Sequence, residues 1–537
     1  MSGVSVRIID KEPSYRVGRR GAGITPRTLE VFKMLGVLEG VLKLAHKPAQ
    51  FQSYELPEGV KPSKTWSMSS TLEPTPACPF LNAVFLGQDQ VEAILRERLK
   101  GFGYFVELGT KLLDFEQHAD GVRATILSND EKEGVKAKYI VGADGAKGIV
   151  RKRLGLSFLG EACTEDELVV SDVIVDGLDL EHVHMWTRGT AVTILVWPGQ
   201  TETNVFSIQM SGEELDRQKV VSDPDELEFR RFFREQTGRA DIYLGEIVWI
   251  SEYVPNIRMV EELGKDRTFL VGDAAHAHSL IGGQGMNSSV QDSFNLGWKL
   301  SCVVLGVSSP ELLSTYSEER LPVIAEMLNK PTELHTKAFK SNNLVDPSHW
   351  KRGKSLSQLG INYRWSSIVT EETPKTDDIL HAYGQDGEGA VLLRAGDRAP
   401  NAPGLVDVED KLTSERSLFE VFKYSAHTVL IFCRPAPEER STVDEILQLT
   451  SHLPQRVQAV IVYPGAVEVP SGGGLGRLEA DLVFWDQDGH AFREYHVPAD
   501  KVHSVVVRPD GMVGAIVSSV PRLTQYFGTI FQLEVRT

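Results

Sequence analysis

The sequence predicts an α/β fold in which a sheet of the dinucleotide-binding type carries an inserted, mostly antiparallel sheet and is followed by a separate α/β region. Three observations support this prediction. The apolar stretch VSVRIID near the start ends in Asp10, and the second strand of such a sheet ends in a carboxylate of this kind. The strands YIVGADG and RTFLVGD each run into a glycine–aspartate turn. The region between them is rich in β-branched and aromatic residues, as sheets are.

Length and composition indicate a globular protein of several domains. The chain has 537 residues, which is too long for one compact core and corresponds to roughly three domains. Its composition, 41% hydrophobic and 24% charged, is that of a soluble protein. No apolar run is long enough to span a bilayer, and we expect neither a membrane span nor a signal peptide.

Charge and cysteine content narrow the class of protein further. The formal net charge of −17 argues against nucleic acid or an anionic membrane as the main partner. The four cysteines are far apart and form neither a CxxC pair nor a metal-type spacing; they are Cys78, Cys163, Cys302 and Cys433. This pattern is typical of isolated thiols in a reducing compartment. We therefore expect a cytoplasmic enzyme.

The first part of the chain alternates strands with helices. After the first strand, a helix begins near Pro26 and ends at Gly36, with apolar residues at helical spacing between them. A second amphipathic helix is predicted over residues 88–100. Residues 103–141 alternate like short antiparallel strands and end in the apolar strand before the first glycine–aspartate turn.

The rest of the chain divides into four predicted parts. Residues 165–255 read as an antiparallel sheet with a hairpin turn at PGQTET. After RTFLVGD, a long helix runs from about Asn287 to Val304. A polar segment around 340–385 is predicted to be a linker. Beyond it, HTVLIFC, QAVIVYP, ADLVFWD and HSVVVRPDGMVGAIV predict four strands with intervening helices, an independent α/β domain.

Two short motifs contain the residues with the clearest functional potential. In YIVGADGAKGIVRKRLG, glycines permit a close approach of the backbone, and Asp144 can accept hydrogen bonds; a turn that merely caps a helix is the alternative. In RTFLVGDAAHAHSLIGGQGMN, Gly272 and Asp273 end a strand and a glycine-rich loop precedes a helix, which makes an anion site. The alternative there is a flexible loop with a good helix start. The two motifs together are more specific than either alone.

The histidines do not predict a metal site. His276 and His278 are two residues apart in a glycine-rich loop, with no third ligand nearby, which is a poor zinc pattern. His182 and His184 alternate on a predicted strand and are expected to be exposed or packed.

These motifs resemble those of the class A flavoprotein monooxygenases of the para-hydroxybenzoate and phenol hydroxylase type. GADG resembles the DG motif of that family, and LVGDAAHAHSLIGGQGMN resembles its GD motif and flavin-contacting loop. RRGAGITPRTLEVFKMLGV, FLGQDQVEAILRERL and LLSTYSEERLPV resemble further family segments. PGLVDVEDKL and VVVRPDGMVG resemble the thioredoxin-like tail of the phenol hydroxylase subgroup. The resemblance covers nearly the whole chain.

The resemblance implies a Rossmann-like FAD-binding domain, an inserted substrate-domain sheet and a thioredoxin-like C-terminal domain. The implied boundaries are 1–164 and 261–345 for the two parts of the FAD-binding domain, 165–260 for the substrate sheet, 346–385 for a linker and 386–537 for the tail. The tail is read as a module for packing or for subunit contact, as in a homodimer. It lacks CxxC, and Cys433 is expected to have no redox role.

Roles transfer from the family to individual residues. Asp10 would bind the adenosine ribose of FAD, Asp273 the ribityl chain, and Gln88 the ribityl–pyrophosphate region. Asp144 would contact FAD and the nicotinamide nucleotide. Arg20 is a candidate cofactor contact, for which Arg27 is the competing candidate. The remaining implied cofactor-binding residues are Gly272, Gly283, Gly285 and Asn287, the last three of them beside the flavin pyrimidine.

Two features depart from the family pattern. Ser279 and Leu280 stand where the family usually has prolines. The larger departure concerns the first strand, the GxGxxG turn and the helix that precede Asp10 in the family, which are not in this sequence. The carboxylate of Asp10 would then belong to a fold whose phosphate-binding turn is missing. We therefore expect the chain as written to bind FAD weakly or not at all, and to be less stable than a version extended at its N-terminus.

The implied function is FAD-dependent hydroxylation of an aromatic or phenol-like small molecule with NADPH or NADH and O2, through a flavin C4a-hydroperoxide. Arg258 is a candidate for orienting a substrate oxygen, with a structural ion pair as the alternative, and no catalytic base is assigned. A competing hypothesis is a truncated, catalytically impaired flavoprotein-like scaffold or binding protein. A flavin halogenase is disfavoured because no WxWxIP-like segment is present.

Overall fold

The computed structural model describes residues 2–162, 167–199, 204–278, 283–339, 354–372, 381–384, 392–408, 415–465, 480–498 and 501–532. These residues form a mixed α/β structure. Within these ranges, no helix combines the length and the apolar composition that crossing a membrane requires. The PGQTET turn, Cys163, Ser279 and Leu280 lie wholly or partly outside the described residues.

The strands are numbered in chain order. The first group is β1 (Ile8–Ile9), β2 (Gly23–Ile24), β3 (Gln50–Tyr54), β4 (Pro62–Trp66), β5 (Val84–Phe85), β6 (Val106–Glu107), β7 (Thr110–His118), β8 (Gly121–Ser128), β9 (Glu131–Ala137), β10 (Ile140–Gly142) and β11 (Leu159–Ala162). The second is β12 (Leu168–Asp176), β13 (His182–Thr187), β14 (Thr193–Trp197), β15 (Val205–Ser211), β16 (Tyr243–Tyr253), β17 (Asn256–Met259), β18 (Gly264–Lys265), β19 (Thr268–Leu270) and β20 (His276–Ala277). The tail region has β21 (Thr370–Glu371), β22 (Leu405–Asp407), β23 (His427–Phe432), β24 (Val457–Pro464), β25 (Leu482–Asp486), β26 (His503–Val507) and β27 (Val513–Val517).

The α-helices of the described residues are numbered in the same way. They are α1 (Pro26–Leu35), α2 (Leu38–Leu44), α3 (Gln88–Lys100), α4 (Ile149–Arg153), α5 (Arg217–Ser222), α6 (Leu227–Thr237), α7 (Gly285–Val304), α8 (Ser314–Phe339), α9 (Leu418–Val421), α10 (Pro437–Ser451), α11 (His490–Glu494) and α12 (Val520–Ile530). The predicted helices α1 and α3 have the expected bounds. The long helix α7 begins two residues earlier than predicted, at Gly285.

Parallel pairing brings the two glycine–aspartate turns to the same sheet edge. Strand β10 pairs in parallel with β19, with Gly142 opposite Leu270. Because the carboxyl ends of parallel strands meet at one edge, both turns follow that edge. Strand β1 pairs in parallel with β6 in a separate two-stranded sheet. Strands β7, β8 and β9 form the antiparallel meander predicted for residues 103–141.

The inserted sheet is mostly antiparallel, as predicted, but it is larger than its sequence region. Its strand order is β16-β12-β15-β14-β13-β3-β4. Strands β3 and β4 come from the region assigned to the FAD-binding domain, and β3 pairs in parallel with β13. Sequence pattern did not reveal this, because a parallel pair is joined through a long crossover that has no local signature. Helices α5 and α6 are inserted between β15 and β16.

The tail forms a second seven-stranded sheet of order β21-β27-β26-β23-β24-β25-β22. The last predicted strand is in fact a hairpin of β26 and β27. Gly511, with φ of +73°, makes the chain reverse there, and Arg508 N donates to Met512 O over 2.8 Å. A left-handed residue in a tight turn favours glycine.

The tail is packed on the helices of the first domain. Trp298 of α7 meets the ring of His427 in β23 edge-on, with centroids 5.2 Å apart, and Trp298 shares one continuous apolar cluster with Val429 and Ile431 of β23. Part of the predicted linker is also packed, since Ile361 and Tyr363 are buried in that cluster. Strand β21 from the same segment pairs with β27. The tail is therefore packed directly against α7 and α8.

Candidate functional site

The turn after β19 presents Asp273 to the surface. Gly272 has a left-handed φ of +58°, and a Cβ there would come within 2.7 Å of Ser289 Oγ. Only glycine fits this conformation and this close approach to α7. The turn that follows leaves Asp273 exposed, while the neighbouring Ala274 is fully buried. The geometry thus offers one carboxylate at the end of a parallel strand.

A buried carboxylate fixes this turn from behind. Asp292 of α7 accepts hydrogen bonds from Gly272 N at 3.1 Å, from His276 Nε2 at 2.7 Å and from Arg320 Nε at 2.8 Å. Burial alone would raise the pKa of Asp292, but the charges of Arg320 and His276 lower it to about 2. No sequence pattern predicts this group, because its members come from a turn, a short strand and two helices.

The start of α7 is tied to the segment after β2. Asn287 is fully buried, and its Oδ1 accepts from Thr25 N at 2.9 Å. Its Nδ2 donates to Gly23 O and to Gly283 O, both at 2.8 Å. A Cβ at Gly285 would meet the His278 ring at 2.3 Å, so the ring packs directly on the helix start. Asn287 therefore holds the loop and the helix N-terminus in place through protein contacts.

The predicted residues Arg20 and Gln88 lie near this helix start. A Cβ at Gly21 would be 3.8 Å from Gln88 Oε1 and 3.9 Å from Met286 Cβ. Gln88 N donates to Arg19 O at 3.0 Å. Burial lowers the pKa of Arg20, while nearby Asp273 opposes that shift. The structure thus brings Arg20, Gln88, Asp273 and the start of α7 into one neighbourhood.

Burial favours Arg20 over Arg27 as the candidate cofactor contact. Arg27 is 4% exposed, forms an ion pair with Glu30 at 2.8 Å and donates to Asp510 O in the tail at 2.8 Å. Arg27 is therefore a structural residue of the contact between α1 and the tail. Arg20 remains the candidate cofactor contact.

Asp10 and Asp144 hold local turns. Asp10 follows β1, and its Oδ1 accepts from Glu12 N at 3.0 Å. Asp144 Oδ2 accepts from Val150 N at 3.0 Å, in the first turn of α4. A Cβ at Gly148 would be 2.2 Å from the Asp144 carboxyl group, which explains the third glycine of that motif. The capping geometry is thus present, and the role of Asp144 toward a cofactor remains a prediction.

The other sequence candidates are located as follows. Among the described residues, Arg258 has no ion pair, and its Nε is buried without a hydrogen-bond partner. His184 is buried and its Nδ1 lies 2.6 Å from Tyr54 Oη. His182 lies 2.8 Å from Asp179. Burial raises the pKa of the Cys433 thiol to about 12, as for a packing residue.

Comparisons with known proteins find relatives over most of the chain. Residues 1–330 match the family model described as FAD binding domain. A flavin-dependent monooxygenase of Mycobacteroides abscessus is 35% identical over 441 residues, which cover 81% of this chain and 85% of that protein. Pentachlorophenol 4-monooxygenase of Sphingobium chlorophenolicum is 27% identical over 535 residues, covering 96% of this chain and 89% of that protein.

Solved structures share the fold. The flavin-dependent monooxygenase PieE, in complex with FAD and substrate, aligns with a TM-score of 0.77 and 20% identity, covering 97% of this chain and 94% of that chain. Aklavinone-11 hydroxylase, in complex with FAD and aklavinone, aligns with a TM-score of 0.73 and 21% identity, covering 99% and 95%. These findings support the hypothesis of a monooxygenase over that of a catalytically impaired scaffold. The chain belongs to the family of FAD-dependent flavoprotein monooxygenases.

Proposed function

We propose that this chain hydroxylates an aromatic, phenol-like small molecule with FAD, NADPH or NADH, and O2. The observation that carries the proposal is the convergence of the Gly272–Asp273 turn, the start of α7 and the loop at Arg20. Three relatives give chemical support, since their names include pentachlorophenol, 6-methylpretetramide and tetracenomycin A2.

The residues present fit a flavin nucleotide. Asp273 is an exposed carboxylate at a strand end, and Gly21, which has no side chain, lies close to Gln88 and to Met286 of α7. Asp10, Arg20, Gln88 and Asp273 would hold FAD by hydrogen bonds and charge. When bound, FAD supplies hydride acceptance from the nicotinamide and activation of O2.

The protein contributes position and exclusion of water. The N-terminus of the 20-residue helix α7 directs its dipole toward the loop at Gly283, where it stabilises negative charge. The face of the inserted sheet near β5 carries a cluster of large apolar side chains, which keeps water away from the reacting atoms. Its members include Phe51, Trp66, Phe85 and the partly buried Trp197.

Two finer features of the fold belong to the same proposal. In the tail, β24 pairs in parallel with β23, and β26 and β27 follow as antiparallel strands. Helices α10 and α12 come after β23 and β27, and this arrangement supports a thioredoxin-like domain. A further strand with a GxGxxG turn would complete the dinucleotide-binding sheet. Among the described strands, β1 pairs only with β6, and Val141 in β10 exposes 42% of its surface, whereas strands of parallel sheets are normally buried.

Purified protein tests the proposed hydroxylation and the proposed additional strand. With FAD supplied, we expect a flavin spectrum, NAD(P)H oxidation stimulated by phenols, and one atom from ¹⁸O2 in the product. Oxidation that yields only hydrogen peroxide with every phenol would contradict the function. For the additional strand, FAD absorbance per protein is compared between this chain and a fusion that carries a family-derived strand–GxGxxG–helix. Equal, stoichiometric flavin in both would contradict the need for that strand.

A further inference from the structure

A row of four paired residues crosses the middle of the inserted sheet. Asp172 of β12 is opposite Ser207 of β15 on one side and Trp249 of β16 on the other. Ser207 is in turn opposite Trp197 of β14. Directly paired residues of antiparallel strands point to the same face, so the four side chains share one face of the sheet.

That face is covered by the loop that carries the candidate flavin contact Arg20. A Cβ at Gly18 would lie 3.0 Å from Asp172 Oδ2, and Arg19 N donates to the same oxygen at 2.7 Å. The Arg20 guanidinium lies 5.1 Å from the centre of the Trp249 ring. The side chains of the row therefore face the loop that carries Arg20.

The row contains two buried polar atoms that no described residue satisfies. Asp172 is 1% exposed, and among the described residues its Oδ1 has no hydrogen-bond partner. The same holds for Trp197 Nε1. A buried polar atom without a partner is costly and rare, and it calls for an explanation such as a ligand. Asp172 Oδ1 accepts hydrogen bonds and Trp197 Nε1 donates them, and a hydroxyl group, which can donate and accept, fits either atom.

A purely structural role does not account for the carboxylate. Of the two carboxylate oxygens, only Oδ2 accepts a hydrogen bond from the loop, and an amide oxygen could accept the same bond from Arg19 N. Burial raises the pKa of Asp172, and the charge of Asp89 in α3 adds to the rise. The hydrogen bond from Arg19 N and the charge of Arg19 oppose this rise without reversing it. A carboxylate with a raised pKa is a better proton acceptor than an ordinary carboxylate.

We propose that Asp172 is the catalytic base that accepts, through Oδ1, the hydroxyl proton of a phenolic substrate. The assignment rests on the proposed aromatic hydroxylation and specifies its substrate class, a ring with a free hydroxyl group. In this step the substrate O–H bond breaks and the proton forms a new bond to Oδ1. The electron pair stays on the phenolate oxygen and raises electron density at the ortho and para carbons, where oxygen is to be added.

The test uses the flavin-loaded enzyme with Asp172→Asn, which removes the charge and keeps an oxygen for Arg19 N. The matched control is Asp176→Asn, an exposed carboxylate at the end of the same strand. We measure kcat and KM of product formation with phenol and with the more acidic 2,4,6-trichlorophenol across pH. Flavin content and thermal unfolding are measured in parallel.

With phenol near neutral pH, we expect Asp172→Asn to lower kcat by about 10²-fold or more, the range of general-base catalysis. The wild-type kcat should fall as pH drops through the Asp172 pKa, and the variant should lack this dependence. Its deficit should shrink as pH rises and should be smaller with trichlorophenol, because the phenolate then arrives already formed. Asp176→Asn should match the wild type.

Each other outcome has a definite meaning. A wild-type enzyme that hydroxylates neither phenol overturns the proposed function and, with it, this assignment. Wild-type hydroxylation with an equal rate in Asp172→Asn, or with a deficit independent of pH and phenol acidity, overturns the assignment alone. If the variant loses flavin or unfolds, the assignment is tested by ligand binding to the wild-type enzyme. This binding is followed through the flavin absorbance. Phenol bound about tenfold more tightly than its methyl ether, anisole, supports the assignment, and equal affinities overturn it.

Discussion

Arg508 of the tail hairpin and Glu319 of α8 form a bidentate ion pair in which both side chains are fully buried. Nη1 lies 2.6 Å from Oε1, and Nη2 lies 2.8 Å from Oε2. Lys299 of α7 also donates to Glu319 Oε2, at 2.7 Å. Burial alone would raise the pKa of Glu319, but Arg508 and Lys299 lower it well below its usual range. The tail is thus joined by charge to the helices that support the candidate flavin site.

Replacing Arg508 by alanine should destabilise the whole chain. The change leaves the Glu319 charge buried with reduced compensation, which costs about 3–5 kcal/mol of the free energy of unfolding. Chemical unfolding, followed by tryptophan fluorescence, measures the loss. Arg440→Ala is the control, because its pair with Asp444 is a partly exposed helical pair and such pairs contribute about 0.3–0.5 kcal/mol. Equal stability of the two variants would contradict a structural role for the buried pair.

Replacing Asp273 by alanine should weaken FAD binding without unfolding the protein. Asp273 is exposed, whereas a charge-assisted hydrogen bond to a ligand contributes roughly 1.5–3 kcal/mol. We therefore expect a Kd for FAD raised about tenfold or more and an unchanged Tm of the flavin-free protein. Titration with FAD measures the first and thermal unfolding the second. Glu131→Ala, an exposed carboxylate on β9, is the control, and unaltered FAD affinity in Asp273→Ala would refute the assignment.

Acidification should destabilise the protein through His427. This ring is fully buried among Trp298, Tyr526 and Phe527, and burial lowers its pKa to about 3. The unfolded chain takes up the proton below about pH 6.5, whereas the folded chain does not until about pH 3. The stability contribution of the neutral ring is therefore complete above pH 6.5 and falls as pH drops toward 3, by up to about 1.4 kcal/mol per pH unit.

His427→Phe should remove that part of the pH dependence. Unfolding is measured between pH 4 and pH 7 for the wild type, for His427→Phe and for His452→Asn, a change at an exposed histidine. The Phe variant should lose less stability over this range than the other two proteins. Parallel curves for all three would show that His427 does not carry the effect.

Cys433→Ser should leave NAD(P)H oxidation unchanged. The thiol is 3% exposed and burial raises its pKa to about 12, so it carries almost no thiolate at neutral pH. A small loss of thermal stability is expected, because a hydroxyl group is less suited to this apolar site. A substantial loss of turnover in a variant that still binds FAD would contradict the packing role.

The sequence by itself determined the local elements and their order. Helical spacing and terminal residues predicted α1 and α3, because Pro26 and Gly36 act on the backbone next to them. Alternation predicted the antiparallel meander of β7 to β9. The glycine–aspartate turns were readable for the same reason, since glycine is required by a local φ or a close approach.

Tertiary structure decided which distant residues meet. Asp292 joins Gly272, His276 and Arg320, and Glu319 joins Arg508 across 189 positions of sequence. Parallel pairing placed β3 in the inserted sheet, and cross-strand register placed Asp172 opposite Ser207. The physical reason is that a buried charge is stable only beside a partner, and no sequence spacing specifies a partner that long-range packing supplies.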